Sequence, residues 1–145
     1  MSFFKDPHQL QRFIDAQAPV YEQAWEELRR GRKVSHWMWF IFPQLKGLGT
    51  SEMADKYAIV SRSEAEAYLG HPTLGPRLRD CTRLVNQIDA RPLLQIFGTP
   101  DDLKFWSSMT LFSQVAQDNH VFLAALDKYC DAQLDARTLE LLSPL

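Results

Sequence analysis

The chain has 145 residues, 46% hydrophobic and 23% charged, with a net charge of −2. That length suits one domain able to bury a core without disulfide or metal staples, and the charge balance leaves no basic field to recruit nucleic acid or an anionic membrane. The stretch from Met1 to Gln11 has no apolar signal segment, and no run approaches the roughly 20 apolar residues a membrane span needs, so a cytoplasmic location is expected.

Two cysteines, Cys81 and Cys130, make no framework and are expected as reduced thiols. No repeat or low-complexity linker divides the chain, so residues 1–145 read as one domain.

Taken in order, Asp6 before Pro7 predicts a helix start, with Leu10, Phe13 and Ile14 following at helical spacing. Pro19 interrupts. A second helix carries Tyr21, Ala24, Trp25 and Leu28 on one face. Its glutamates Glu22, Glu26 and Glu27 lie early and Arg29 and Arg30 late, which suits the helix dipole, and Gly31 is the expected stop. The basic group Arg29, Arg30, Arg32 and Lys33 reads as a solvated helix end.

Next comes the stretch around which the chain is organised: Ser35-His36-Trp37-Met38-Trp39-Phe40-Ile41-Phe42-Pro43-Gln44. So many apolar side chains in a row belong in a core. Aromatics and Ile favour a strand; Ser35 as an N-cap favours a short helix, and Pro43 ends either. A short buried helix fits the helical neighbours better. Buried Trp37 and Trp39 need acceptors for their indole N–H groups.

Leu45 to Ser51 is a loop with glycines at 47 and 49, whose backbone N–H groups can converge on an anion, helped by Lys46 and by the hydroxyls of Thr50 and Ser51. It lacks the Gly-Lys-Ser/Thr ending of a P-loop, and a plain glycine turn before an N-cap is the simpler account of it. Met53 to Tyr57 predicts a short helix, and Ala58 to Val60 an extended piece or a helix tail. Ser61 to Glu64 reads as a capping box for a helix with Ala65, Tyr68 and Leu69 that stops at Gly70.

Leu74, Leu78, Cys81, Val85 and Ile88 then form the cleanest amphipathic stripe in the chain. Pro92 begins a short helix ended by Gly98. Thr99-Pro100-Asp101-Asp102 predicts a strong start, with Thr99 as cap, Pro100 first and two aspartates complementing the dipole. The helix holds Leu103, Trp106, Met109 and Phe112. Ser107, Ser108 and Thr110 within it either pack closely or present hydroxyls to a ligand. Asp118 and Asp135 start the last two helices. The expectation is an all-α, single compact multihelical domain of seven to nine short helices with at most one short strand.

The motif Ser35–Gln44 with Gly47-Leu48-Gly49, together with Tyr57-Ala58-Ile59, His71-Pro72, Leu74-Gly75, Ile96-Phe97-Gly98, Pro100-Asp101-Asp102 and Ser107 to Phe112, resembles the family called domain of unknown function 1810 over nearly the whole chain. The resemblance implies a multihelical, mainly bacterial protein and brings no activity with it. The calpastatin-like label sometimes attached to members does not suit a compact helical composition.

Three functions follow from the residues. The first is a small-ligand binding domain for a nucleotide-like or phosphorylated molecule, with Trp37, Trp39, Gln44, Lys46, Lys104 and Ser108 as binding residues. The second is a hydrolase or N-glycosidase acting on a nucleotide or ADP-ribose-like group, with Asp101, Asp102 and His36 as catalytic candidates. The third is a protein-interaction domain presenting the Leu74 to Ile88 helix. His8, His36, His71 and His120 are not at metal-ligand spacing, and there is no dinucleotide fingerprint or nucleophile elbow. Neither a metal nor a cofactor is expected.

Overall fold

The computed structural model describes residues 5–143. Ten α-helices follow one another: α1 Gln11–Gln17, α2 Tyr21–Arg30, α3 Met38–Ile41, α4 Glu52–Lys56, α5 Arg62–Gly70, α6 Leu74–Asn86, α7 Leu93–Phe97, α8 Asp101–Val115, α9 His120–Tyr129 and α10 Ala136–Leu142. The count exceeds the expected range because single turns such as α3 and α7 stand as separate elements. There is no strand among the described residues. One parallel bridge joins Leu45 to Ile59 and gives the 58–60 segment its extended form.

The helix α8 is the axis of the domain. Phe105 and every residue from Ser107 to Ser113 are buried, so it is enclosed nearly all round. It packs against α5, α7, α9 and α10. The ring of Phe42 meets Phe105 edge-on at 5.0 Å and Phe97 at 5.9 Å, which fixes the end of the Trp-rich stretch against α7 and α8.

The stripe of α6 is used up internally. Leu74, Leu78, Cys81 and Val85 are buried, and the helix packs on α2, α5 and α9. The apolar stripe is therefore not open to a partner, and what α6 presents outward is its polar face, with Asp80 and Arg83 exposed. At the corner between α5 and α6, Gly75 lies so close to the preceding helix that an added Cβ would fall 2.1 Å from the Leu69 carbonyl oxygen.

Four helix starts differ from expectation; at one of them Asn119, not Asp118, holds the cap position of α9, with no side-chain bond. Asp6 does not begin a helix: its carboxylate accepts the N–H groups of Leu10 and Gln11 across an intervening turn, and α1 starts at Gln11. Thr99 does not cap α8. Pro100 holds the cap position with no side-chain bond, and the Asp102 and Lys104 N–H groups donate to the Gly98 and Pro100 carbonyls. Ser35 does not cap α3, where Trp37 holds that position, because its hydroxyl turns back to α2. Ser51, Ser61 and Asp135 do cap, accepting from Ala54, Glu64 and Arg137.

Candidate functional site

The route into the site begins at Glu27, a buried carboxylate one turn from the end of α2. Gly31 reverses the chain in a left-handed conformation, and residues 34–37 fold back over α2. Glu27 accepts the Val34 N–H at 2.8 Å, the Ser35 N–H at 2.9 Å, the Ser35 hydroxyl at 2.5 Å and the Trp37 indole N–H at 2.9 Å. Burial pushes this carboxyl up. The Ser35 hydroxyl and N–H, the Val34 N–H and the Trp37 indole outweigh burial and hold it down at about 2. Trp37 is completely buried as a result, and α3 follows with its direction set.

Trp39, two residues on, is only half-buried and points elsewhere. The Lys104 ammonium lies 5.3 Å from the centre of its ring. Lys104 Nζ is also 3.4 Å from Asp101 Oδ1, while Lys33 Nζ is 2.9 Å from Asp101 Oδ2 and 5.3 Å from the Trp37 ring centre. The two tryptophans thus bracket a Lys33–Asp101–Lys104 triad, with one ammonium on each indole and the carboxylate between. Cation–π contact and charge pairing support each other in this half-buried setting.

Beside the triad is an open cleft of about 380 Å³. One wall is the glycine loop, from Leu48 to Ser51, with Gln44 and Ala54. The other is the first turns of α8, through Pro100, Leu103, Lys104 and Ser107. The bridge between Leu45 and Ile59 anchors the loop, with Lys46 N–H donating to Ile59 O at 2.9 Å. Gly49 lets the loop press on α4, since a Cβ there would stand 2.5 Å from the Ala54 methyl. The N–H groups of Gly47, Gly49, Thr50 and Ser51 find no acceptor among the described residues. A smaller crevice behind Gln44 and Gly49, of about 10 Å³, adds Trp39, Lys46 and Tyr57 to the same region.

Gln44 and Lys104 therefore line the cleft, and Trp39 and Lys46 line the crevice that adjoins it. Lys46 is exposed and lies 3.6 Å from Asp55. Trp37 faces Glu27 instead. Ser108 is wholly buried, and its hydroxyl has no hydrogen-bond partner among the described residues. Of the catalytic candidates, Asp101 is held in the triad outside the lining of the cleft. Asp102 accepts the N–H of its neighbour Leu103 at 2.9 Å. His36 is exposed and lines neither the cleft nor the crevice. No carboxylate or imidazole lines the cleft itself, so its wall offers hydrogen bonds, one ammonium and apolar contact.

Two contributors carry no local signal that assigns them to the site. Ser107 lines the cleft where Ser108 was expected; both positions share a face with Lys104 by helical spacing, and only packing separates them. The Ser107 hydroxyl donates to Asp135 Oδ2 at 2.7 Å, as does the Thr138 hydroxyl at 2.6 Å, tying the cleft wall to the start of α10. Lys33 was assigned to a solvated helix end. It is in fact nearly enclosed, its N–H donating to Ile96 O at 2.7 Å.

A family model described as "Protein of unknown function (DUF1810)" matches residues 7–142. The chain is similar to the conserved hypothetical protein Rv1873 from Mycobacterium tuberculosis, known from a crystal structure. The two are 56% identical, with a TM-score of 0.95, over 97% of this chain and 100% of the other. No curated protein matches. Among the described residues no helix is long and apolar enough to cross a membrane, and no three His, Cys, Asp or Glu side chains gather as a metal set.

Proposed function

The chain belongs to the DUF1810 family of proteins of unknown function, which carries no reaction with it, and we propose from the cleft itself that the protein binds a small nucleotide-like or phosphorylated molecule. The observation that carries this reading is convergence: Gln44 with the glycine loop that follows it, and Lys104 on the distant helix α8, share one cleft. Its volume falls in the range of about 300–1,000 Å³ usual for small-molecule sites. The free N–H groups of the loop and the Lys104 ammonium suit an anionic or carbonyl-rich ligand, and Leu48 and Leu103 supply apolar walls.

The hydrolase reading has weaker support. A catalytic carboxylate has to reach the bond it acts on, and Asp101 is already shared by two ammonium groups outside the cleft lining. Binding without chemistry needs no such group.

Thermal denaturation against a panel of nucleotides and sugar phosphates tests the proposal. A ligand at about 100 times its Kd adds about 2.7 kcal/mol, enough to raise the melting temperature by several degrees. The rise should be lost in Lys104→Gln and in Gly49→Leu. Unchanged melting across the panel would remove the proposal.

A further inference from the structure

A second cleft, of about 510 Å³, is lined by Arg32, Lys33, Arg91, Leu94, Gln95, Phe97 and Gly98 and shares no lining residue with the glycine-loop cleft. We propose that it is a separate site for a small organic phosphate, whose phosphate group sits between the Arg32 and Arg91 guanidinium groups and whose apolar part lies over Leu94 and Phe97.

Charge is the first reason. Three cationic side chains and no carboxylate line this cleft, in a chain whose net charge is −2. Lys33 is neutralised from behind by Asp101, but the Arg32 side chain makes no hydrogen bond or ion pair among the described residues. Arg91 donates one N–H, from Nη1, to the Gly31 carbonyl at 2.9 Å. A guanidinium carries five N–H groups, so most of its fork stays available. Gathering like charges without a counter-charge is unfavourable, and an anion relieves it.

Placement is the second reason. Arg32 is brought to the cleft by its backbone and Arg91 by one edge of its guanidinium, which reaches the residue just before Arg32. The Arg32 N–H donates to Glu27 O at 3.0 Å, the Lys33 N–H to Ile96 O, and Arg91 is tied to Gly31. Two guanidinium groups lining one cleft, that of Arg91 anchored at Gly31 and that of Arg32 free to turn, can bind the oxygens of a phosphate in paired hydrogen bonds.

The third reason is the apolar wall. Leu94 is 56% exposed, a large aliphatic side chain left in water at the edge of a basic cleft. Phe97 beside it is locked by stacking on Phe105, with ring centres 4.9 Å apart. A bare inorganic ion makes no use of that wall, whereas a phosphate ester does.

Phenyl phosphate and inorganic phosphate serve as probes, titrated into the full chain while backbone amide NMR signals are followed. Phenyl phosphate should give saturable shifts at Arg32 and from Leu94 to Gly98, and should bind more tightly than inorganic phosphate. Arg32→Gln, at an exposed position, should weaken it about tenfold with the remaining spectrum unchanged. Lys104→Gln should leave it within twofold, which separates this site from the glycine-loop cleft. The proposal is overturned if shifts fail to saturate by about 10 mM, a concentration well above a millimolar Kd. Equal binding by Arg32→Gln, or equal affinity for the two probes, overturns it as well. So does a response of these signals to an oligonucleotide or acidic peptide but not to phenyl phosphate.

Discussion

Trp37 and Trp39 differ by two positions and by almost everything else. Trp37 is sealed in the core, its N–H satisfied by a carboxylate that accepts only neutral donors. Trp39 lies half in water under an ammonium that a second carboxylate holds in place. Glu27 and Asp101 are thus two carboxylates with opposite tasks. Glu27 fixes where the chain goes, while Asp101 fixes where two positive charges sit. Neutral hydrogen bonds in a buried place give rigidity that salt does not screen; charge pairs near the surface give an arrangement that a ligand can compete with.

The largest effect that would break this contrast is on stability. Trp37→Ala should cost about 3–5 kcal/mol, as large core truncations do, while Trp39→Ala should cost about half as much or less. Urea unfolding of both variants measures the pair, and equal losses would erase the distinction.

Acid titration sharpens it next. The Glu27 carboxyl is lowered from its ordinary 4.5 to about 2 in the folded chain. A depressed carboxyl contributes stability that is present above the unfolded value and lost as pH falls through the folded one. Stability should therefore drop between about pH 4.5 and 2, by about 3 kcal/mol from this group. Glu27→Gln should flatten that part of the curve while lowering stability at neutral pH. A curve of the same slope in the variant would mean that other carboxylates carry the acid response.

The smallest effect is expected at the triad. Asp101→Asn should cost about 1–2 kcal/mol, since one carboxylate is replaced by a neutral amide beside two ammonium groups. Added salt should narrow the gap between Asp101→Asn and the parent chain, and should leave the gap for Glu27→Ala nearly constant. Calorimetric melts at low and high salt compare the two.

Much of the helical order was legible in the residues. The stripe of α6, the Gly31 stop and the capping serines at 51 and 61 are local signals, each written within a few positions. The central place of the Trp-rich stretch followed from its hydrophobicity alone. What was not legible depends on partners distant in the chain. Ser35 resembles an N-cap by position, yet its hydroxyl is taken by Glu27, which itself resembles an ordinary helix glutamate. Lys33 belongs by sequence to a run of exposed cations, and only the approach of α8 gives it Asp101. The choice between Ser107 and Ser108 rests on a rotation of α8 that helical spacing leaves open. The glycine loop and the start of α8 were both singled out as ligand elements, but their meeting at one cleft is a product of the fold.

The corner at Gly75 sets a condition on any relative built the same way. With the Leu69 carbonyl standing where a methyl would go, even alanine would have to push two helices apart, and the stripe that α6 buries would lose its register with them. A homologue with a side chain at this position must therefore turn the corner by another path, and comparing sequences at this one place would separate chains that share the whole architecture from chains that share only its parts.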